Sequence, residues 1–456
     1  MHAQNPLGYE RLGKLLARFA VPSVISMLVS ALYNIVDQIF IGQGVGYLGN
    51  AATNVAFPLT TISLAISLLI GIGSSSRFSL YLGQKRPEKV REITGNALFL
   101  MIACGLAYMG LILLFVHDLL FAFGATSEVY PYAVAYTNIT AFGFPFLIFT
   151  NAMSALIRSD GSPNYSMVCM VVGAIINIVL DPIFIFVFHQ GVAGAAWATI
   201  LGQIISCFVC FAYIPKFKHV EIKAKDIRFS WQATLEAFSI GVSSSVNQIA
   251  ILFVQIVMNN SMVHYGALSP YGAEIPLAAA GVVMKVNAIL FAFMIGLSQG
   301  LQPIVGFNYG AKKYTRVKKT MLLALASALV IGALGWTLFE FAPYPVLSLF
   351  GSENALYMEF AVHFMKVFLL LSCVNGVQII SSGFFSAIGK PLKGLFLSMI
   401  RQVILFIPLA VLLPLSFGLE GILWSAPVAD TISFGVAIVL LAVEFHKLDN
   451  LQKEND

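Results

Sequence analysis

Three aspartates stand inside long apolar runs of this chain: Asp37, Asp181 and Asp430. An acid at the centre of a membrane-spanning segment costs on the order of 2.5–3.5 kcal/mol to insert, so each is a functional candidate by default. Two bases, Lys285 and Lys366, are set in similar runs. Asn177 precedes Asp181 by four residues and shares its helix face one turn away. At a rise of about 1.5 Å per residue, Asp37, Asp181 and Thr199 all lie roughly 8–11 Å below the same surface. Two carboxylates, an amide and a hydroxyl are hard oxygen donors. They suit a proton or a small alkali cation such as Na⁺, with no soft ligand needed. Two carboxylates close together in low dielectric cannot both stay ionised cheaply, and a proton or a bound cation removes that penalty.

The elements that must position these residues are membrane helices. Hydrophobic residues make up 59% of the 456 and charged residues 10%, against about 45–50% and about 25% in soluble domains. So little charge cannot cover a water-facing surface of this size, which excludes a wholly soluble protein. A net charge of +5 that is not gathered in one tail argues against a disordered or nucleic-acid-binding chain. Twelve apolar runs approach the roughly 20 residues that a spanning helix needs. They cover approximately 15–41, 51–74, 93–116, 130–153, 164–188, 192–214, 235–260, 277–300, 318–340, 358–380, 394–416 and 421–444. Backbone groups in hydrocarbon must be satisfied within the segment, so these runs are helices, and no barrel-like alternation competes.

Lysine and arginine alternate strictly between loops. One side holds, among others, Lys14, Lys85, Arg91, Arg158, Lys218, Lys312, Arg316, Lys390 and Lys447, while the six opposite loops hold none. That bias predicts a multi-pass protein of the cytoplasmic (inner) membrane with both termini in the cytoplasm. No cleavable signal is evident, so the first span is expected to stay in the mature protein.

The chain is two copies of one unit. GSSSRFSLYLGQKRPEKVRE starts at Gly73 and GLQPIVGFNYGAKKYTRVKK at Gly300, an offset of 227 (300 − 73). Phe123-Gly124 and Phe350-Gly351 share that offset, as do GVAGAAW ending at Trp197 and GLEGILW ending at Trp424. Six spans per unit keep both copies in one orientation, related by a pseudo-two-fold axis with a cavity between them. The expected layout is an amino-terminal lobe, 1–214, a cytoplasmic linker, 215–234, and a carboxy-terminal lobe, 235–456. The second half carries an extra stretch, 261–276, expected in an outer loop. Two lobes around a cavity, with no enzyme motif, read as a transporter.

Two prolines add mechanics. Pro22 frees the carbonyl of Arg18 in span 1, and Pro182 frees that of Ile178 in span 5, so both are candidate hinges. Glu359, His363 and Lys366 share a face, which predicts local pairing of Lys366. Lys285 has no acid on its own helix, and Asp430 is its expected cross-helix partner. Span 7 offers Asn247, Gln248 and Gln255 but no acid at depth, so coupling chemistry concentrates in the first half.

Other patterns are discounted. GVGYLG at 44–49 fits G-x-G-x-x-G but follows no strand. Cys207 and Cys210 form C-x-x-C on an apolar span, where helix packing outweighs redox or metal chemistry. No zinc-type histidine spacing occurs.

Several strings carry a family resemblance: LYNIVDQIFIG around Asp37, NIVLDPIFIF around Asp181, SALIRSDGSPNYS after span 4 and QGLQPIVGFNYGAKK after span 8. Over essentially its whole length the chain resembles the multidrug and toxic compound extrusion (MATE) family. The resemblance implies an all-α membrane protein of twelve helices, in two pseudo-symmetric six-helix bundles forming a V-shaped cavity. It implies export of amphiphilic, often cationic, drugs in exchange for H⁺ or Na⁺, with no other cofactor. In prokaryotic members similar to the DNA-damage-inducible branch, the cation or proton site of the first lobe falls on Asp37, Asn177, Asp181 and Thr199. The hinge proline of span 1 falls on Pro22, and Tyr33 falls where such proteins line the drug cavity. Asn34, Asn151, Met170 and Gln255 are further cavity candidates. VHYGALSPYGAEIPL is similar to a bacterial subgroup close to the staphylococcal multidrug member. Another branch places acids in spans 7 and 10, where this chain has Gln255 and Asn375 or Lys366, which argues against a second-lobe coupling site.

The first reading is thus a cation-coupled antiporter, expected to be a monomer, with amphiphilic small molecules and the lipid bilayer as partners and no nucleic acid. A flippase or exporter of a lipid-linked saccharide is the alternative. Its pyrophosphate calls for several buried bases, and this reading finds only Lys285 and Lys366 at depth. A membrane enzyme lacks a nucleophile–base pair. An ion channel would betray itself by conductance far above carrier turnover.

Overall fold

A computed structural model of the chain describes residues 5–349 and 355–455, the side chain of Tyr47 excepted. Among the described residues there is no strand. The helices are α1 (Leu12–Val45), α2 (Tyr47–Gly83), α3 (Pro87–Ala122), α4 (Tyr130–Ser159), α5 (Pro163–Pro182), α6 (Gly191–Phe211), α7 (Trp231–Ala267), α8 (Glu274–Gly310), α9 (Tyr314–Phe341), α10 (Pro343–Ser348), α11 (Ala355–Phe368), α12 (Ser372–Ala387), α13 (Pro391–Met399), α14 (Ile407–Phe417) and α15 (Leu419–Asn455). Eleven stretches are long and apolar enough to cross a membrane. The pair α11 and α12, bent by 50° at its junction, makes a twelfth. A π-helical segment, Ile400–Phe406, joins α13 to α14 within one span. Another, Ile183–Val187, follows Pro182, where the proline has no N–H to continue the ladder. Outward-facing Leu114, Leu334 and Leu415 are largely exposed, as a bilayer solvent allows.

The repeat is written into the backbone. Helices α2 and α8 start at residues 47 and 274 and end at 83 and 310, both 227 apart. The turns after them place Lys85 and Lys312 at the same φ, 58°. The Phe350-Gly351 anchor lies outside the described residues. The extra stretch of the second half is mostly helix rather than loop. Helix α7 runs on to Ala267 and α8 starts at Glu274, leaving only 268–273 between them.

The halves are tied together at the lysine- and arginine-rich end. There the first turns of α1, with Leu15, Leu16 and Phe19, belong to the second half's core. Reciprocally, Ala233 and Ala237 of α7 belong to the first half's core. Contact is backbone to backbone: a Cβ at Gly300 would lie 2.5 Å from Ala20 Cα, and one at Gly296 2.5 Å from Val24 Cα. Gly73 meets Ala237, and Gly241 meets Leu69, in the same way. With α2 and α8 in register at 227, these contacts align α1 with α7 at 217 (237 − 20 and 241 − 24). The difference of ten residues is the insertion between α7 and α8.

Polar straps close the same end. The amino-terminal turn is held by the second half: Asn308 Nδ2 donates to Leu7 O (2.9 Å) and Arg316 Nη2 to Glu10 O (2.8 Å). The segment after α6 is held by the first half, where Asp160 accepts from Lys218 N (2.7 Å) and His219 N (3.1 Å). Away from this end the facing sides of α1 and α8 carry exposed Asn34 and Lys285. Asn34 lies on the face of α1 that bears Ala20, Val24 and Met27. Lys285 lies on the face of α8 that bears Gly296. The cleft between the bundles opens there.

Candidate functional site

Four helices of the first half converge on one polar cluster. Asn177 and Asp181 are buried on one face of α5. Asn177 Nδ2 donates to Asp181 Oδ1 (3.3 Å) and to Thr199 Oγ1 on α6 (3.2 Å). Helix α1, packed along α5, brings the Asp37 carboxyl group within hydrogen-bonding reach of Asp181. Tyr33 of α1 and Tyr136 of α4 flank the two acids, with Tyr136 on the Thr199 side. All four residues expected at a coupling site therefore meet.

The cluster is short of positive charge. Three oxygens, Asp37 Oδ1, Asn177 Oδ1 and Asp181 Oδ2, are buried with no hydrogen-bond donor. Neither acid has an ion pair among the described residues. Buried acceptors in native proteins are nearly always satisfied, and buried charges are paired. A proton shared between the carboxyl groups, or a small cation among the three free oxygens, would satisfy both rules. The donor set is all oxygen, which fits Na⁺ as well as H⁺.

Among the described residues, the second half has no such cluster. At the register fixed by the glycine contacts, the counterpart of Asp37 is Val254 (37 + 217), buried in the apolar core. Thr199 corresponds to Ala426 (199 + 227). Aligned on Pro163 and Pro391, Asn177 and Asp181 correspond to Leu405 and Leu409.

The other candidates scatter. Asn151 and Met170 line a small cavity between the halves, with Met27 and Gln299. Asn34 is exposed on α1, its Nδ2 donating to Ser30 O (2.7 Å). Gln255 is exposed on α7, apart from these. Pro22 sits between Ala20 and Val24, the two residues against Gly300 and Gly296, and α1 passes through it unbroken. Ser26 Oγ donates to Pro22 O (2.9 Å).

Two expected pairings do not form. Asp430 is bound by Arg401, with Nε–Oδ1 at 2.6 Å, and not by Lys285. The guanidinium of Arg401 also stacks over Phe291 of α8, 5.5 Å from the ring centroid. Lys285 is exposed instead. His363 pairs with Glu420 of α15 (2.7 Å), leaving Lys366 with no ion pair among the described residues. Arg158, assigned to a loop from charge alternation, is buried in the last turn of α4.

The sequence model of the MatE family matches residues 22–183 and 244–412. The chain belongs to the MatE family. It is therefore a multi-pass membrane transporter of the multidrug and toxic compound extrusion kind, not an enzyme. This MatE chain is 26% identical over 433 residues to the multidrug export protein MepA of Staphylococcus haemolyticus, covering 94% of this chain and 93% of that one. It is 25% identical over 429 residues to MepA of Staphylococcus aureus, with the same coverage. Among solved structures, a multidrug resistance MATE family transporter of the MOP superfamily in an outward-facing conformation superposes with a TM-score of 0.90. That structure is 22% identical, with 96% of this chain and 97% of that one covered. A MATE in complex with MaL6 gives 0.91 at 23% identity, over 98% and 99%. These likenesses carry the twelve-helix, two-bundle fold.

Two parts of this MatE chain escape sequence reasoning. Tyr136 carries no signal, because a tyrosine in an apolar run is ordinary. Arg401 does carry one: it is the lone base within the run 394–416.

Proposed function

We propose that this MatE transporter is an antiporter. It exports amphiphilic, often cationic, small molecules in exchange for H⁺ or Na⁺ loaded at Asp37, Asn177, Asp181 and Thr199. The observation that carries the reading is the meeting of two carboxyl groups from separate helices, each with a donorless oxygen, beside the donorless Asn177 Oδ1. Loading a proton or Na⁺ removes the repulsion between Asp37 on α1 and Asp181 on α5 and draws the helices together. Helix α1 also carries Tyr33 and Asn34 toward the cleft and packs on α8 at Gly296 and Gly300. Movement of α1 would therefore change the cleft wall and the closing contact together. The bodies that rock are the lobes 1–214 and 235–456, joined through 215–234. The close backbone contacts at Gly73, Gly241, Gly296 and Gly300 toward the basic end suit an outward-open state, with both termini on the cytoplasmic side of the inner membrane and a single chain as the working unit. The names of the staphylococcal relatives support the drug class.

The test uses purified protein in proteoliposomes. A cationic dye should accumulate against an imposed ΔpH or an imposed sodium gradient. Asp37→Asn and Asp181→Asn should abolish that accumulation while the protein still inserts. Undiminished accumulation in both variants refutes the assignment.

A further inference from the structure

The cavity between α1, α2, α4, α5 and α8 contains a charge that nothing in the coupling reading uses. Arg158 is only 5% exposed. Its Nη1 donates to Ser154 Oγ (3.0 Å) and Ser166 Oγ (3.2 Å). Among the described residues its Nε and Nη2 have no partner, and no carboxylate forms an ion pair with it. The nearest acid along the chain, Asp160, is taken up by four donors: Tyr213 Oη, Lys218 N, His219 N and His219 Nδ1. A buried guanidinium with no counter-charge is strongly disfavoured, as is a buried pair that has lost one partner. Serine hydroxyls solvate such a charge but do not neutralise it.

The guanidinium lines a cavity of about 30 Å³ with Met27, Gly71, Asn151, Met170 and Gln299. That is room for about two water-sized particles. That space suits a monatomic anion. The Gln299 amide lines the cavity from α8, with its Nε2 3.9 Å from Met27 Sδ. Gln299 belongs to the second half, so the site is complete only while α8 lies against α1.

We propose that Arg158 holds a small inorganic monovalent anion of the halide class at the base of the cleft. The test uses purified full-length protein, with bromide as the probe. Bromide should raise Tm saturably by a few degrees relative to methanesulfonate at equal ionic strength. Arg158→Gln should remove the rise, and crystals of the unmodified protein in bromide should give an anomalous peak beside the guanidinium. The absence of both the shift and the peak in the unmodified protein overturns the proposal, as does a shift of the same size in Arg158→Gln. If Arg158→Gln does not fold, the anomalous peak alone decides. Occupancy by the carboxylate of an amphiphile, with none by bromide, also overturns it. No arm depends on transport activity.

Discussion

Two buried acidic centres of this transporter differ in one respect. In the second half, Asp430 is met by Arg401 at 2.6 Å, and the pair is sealed under Phe291. In the first half, Asp37 and Asp181 meet each other, and among the described residues neither has an ion pair. A paired acid is already satisfied and has no need of a mobile ion. An unpaired couple is satisfied only when something enters. The mirror positions sharpen the lesson. Val254, Ala426, Leu405 and Leu409 stand where the first half has Asp37, Thr199, Asn177 and Asp181. At this level one half is apolar scaffold and the other holds a polar centre.

The contrast can be broken most severely at the pair. Arg401→Met leaves Asp430 as an uncompensated buried charge and should cost about 3–5 kcal/mol. Thermal denaturation in detergent should register that loss, while the protein that remains folded still couples transport to its ion. Loss of coupling with unchanged stability would reverse the roles assigned to the two centres.

Next is the unpaired couple. Asp181→Asn removes a charge-assisted contact worth about 1.5–3 kcal/mol, or about 10- to 100-fold in ion affinity. Direct binding of the driving ion to the purified protein should report it, with little change in Tm. The mirror change Leu409→Asn should leave ion dependence where it was.

The closing contact predicts a smaller effect. Gly300→Val pushes a side chain into the Ala20 backbone and should cost about 1–3 kcal/mol of the closed state. Gly281→Val, where a Cβ meets nothing within 4 Å, should not. Cysteine accessibility at the basic end should rise in the first variant alone. The smallest effect belongs to Thr199→Val, which takes one acceptor from Asn177. A loss of about 0.5–1.5 kcal/mol predicts roughly two- to tenfold weaker ion activation.

Much of this was legible beforehand, and the physical reasons are specific. The bilayer demands long apolar helices, so all twelve spans stand out in the sequence. The cost of an intramembrane acid singles out Asp37 and Asp181, and helix rise puts them at one depth with Thr199. Partner choice is different, because it depends on contacts between helices that spacing along one helix does not encode. Lys285 has no acid on its own helix, which makes Asp430 its expected partner, whereas Arg401 holds Asp430. The break between α11 and α12 falls in Phe368-Leu369-Leu370-Leu371-Ser372, where no glycine or proline marks it. Charge counting places Arg158 in a loop because it is blind to how far α4 continues.

The central claim is that one ion occupies the Asp37–Asp181 couple and leaves when substrate is exported. Purified protein in weakly buffered detergent, followed with a pH indicator and in parallel with ²²Na⁺, measures it directly. Addition of a cationic substrate should displace protons or sodium from the unmodified protein and nothing from the Asp37→Asn, Asp181→Asn double variant. Equal displacement from both proteins would contradict the account.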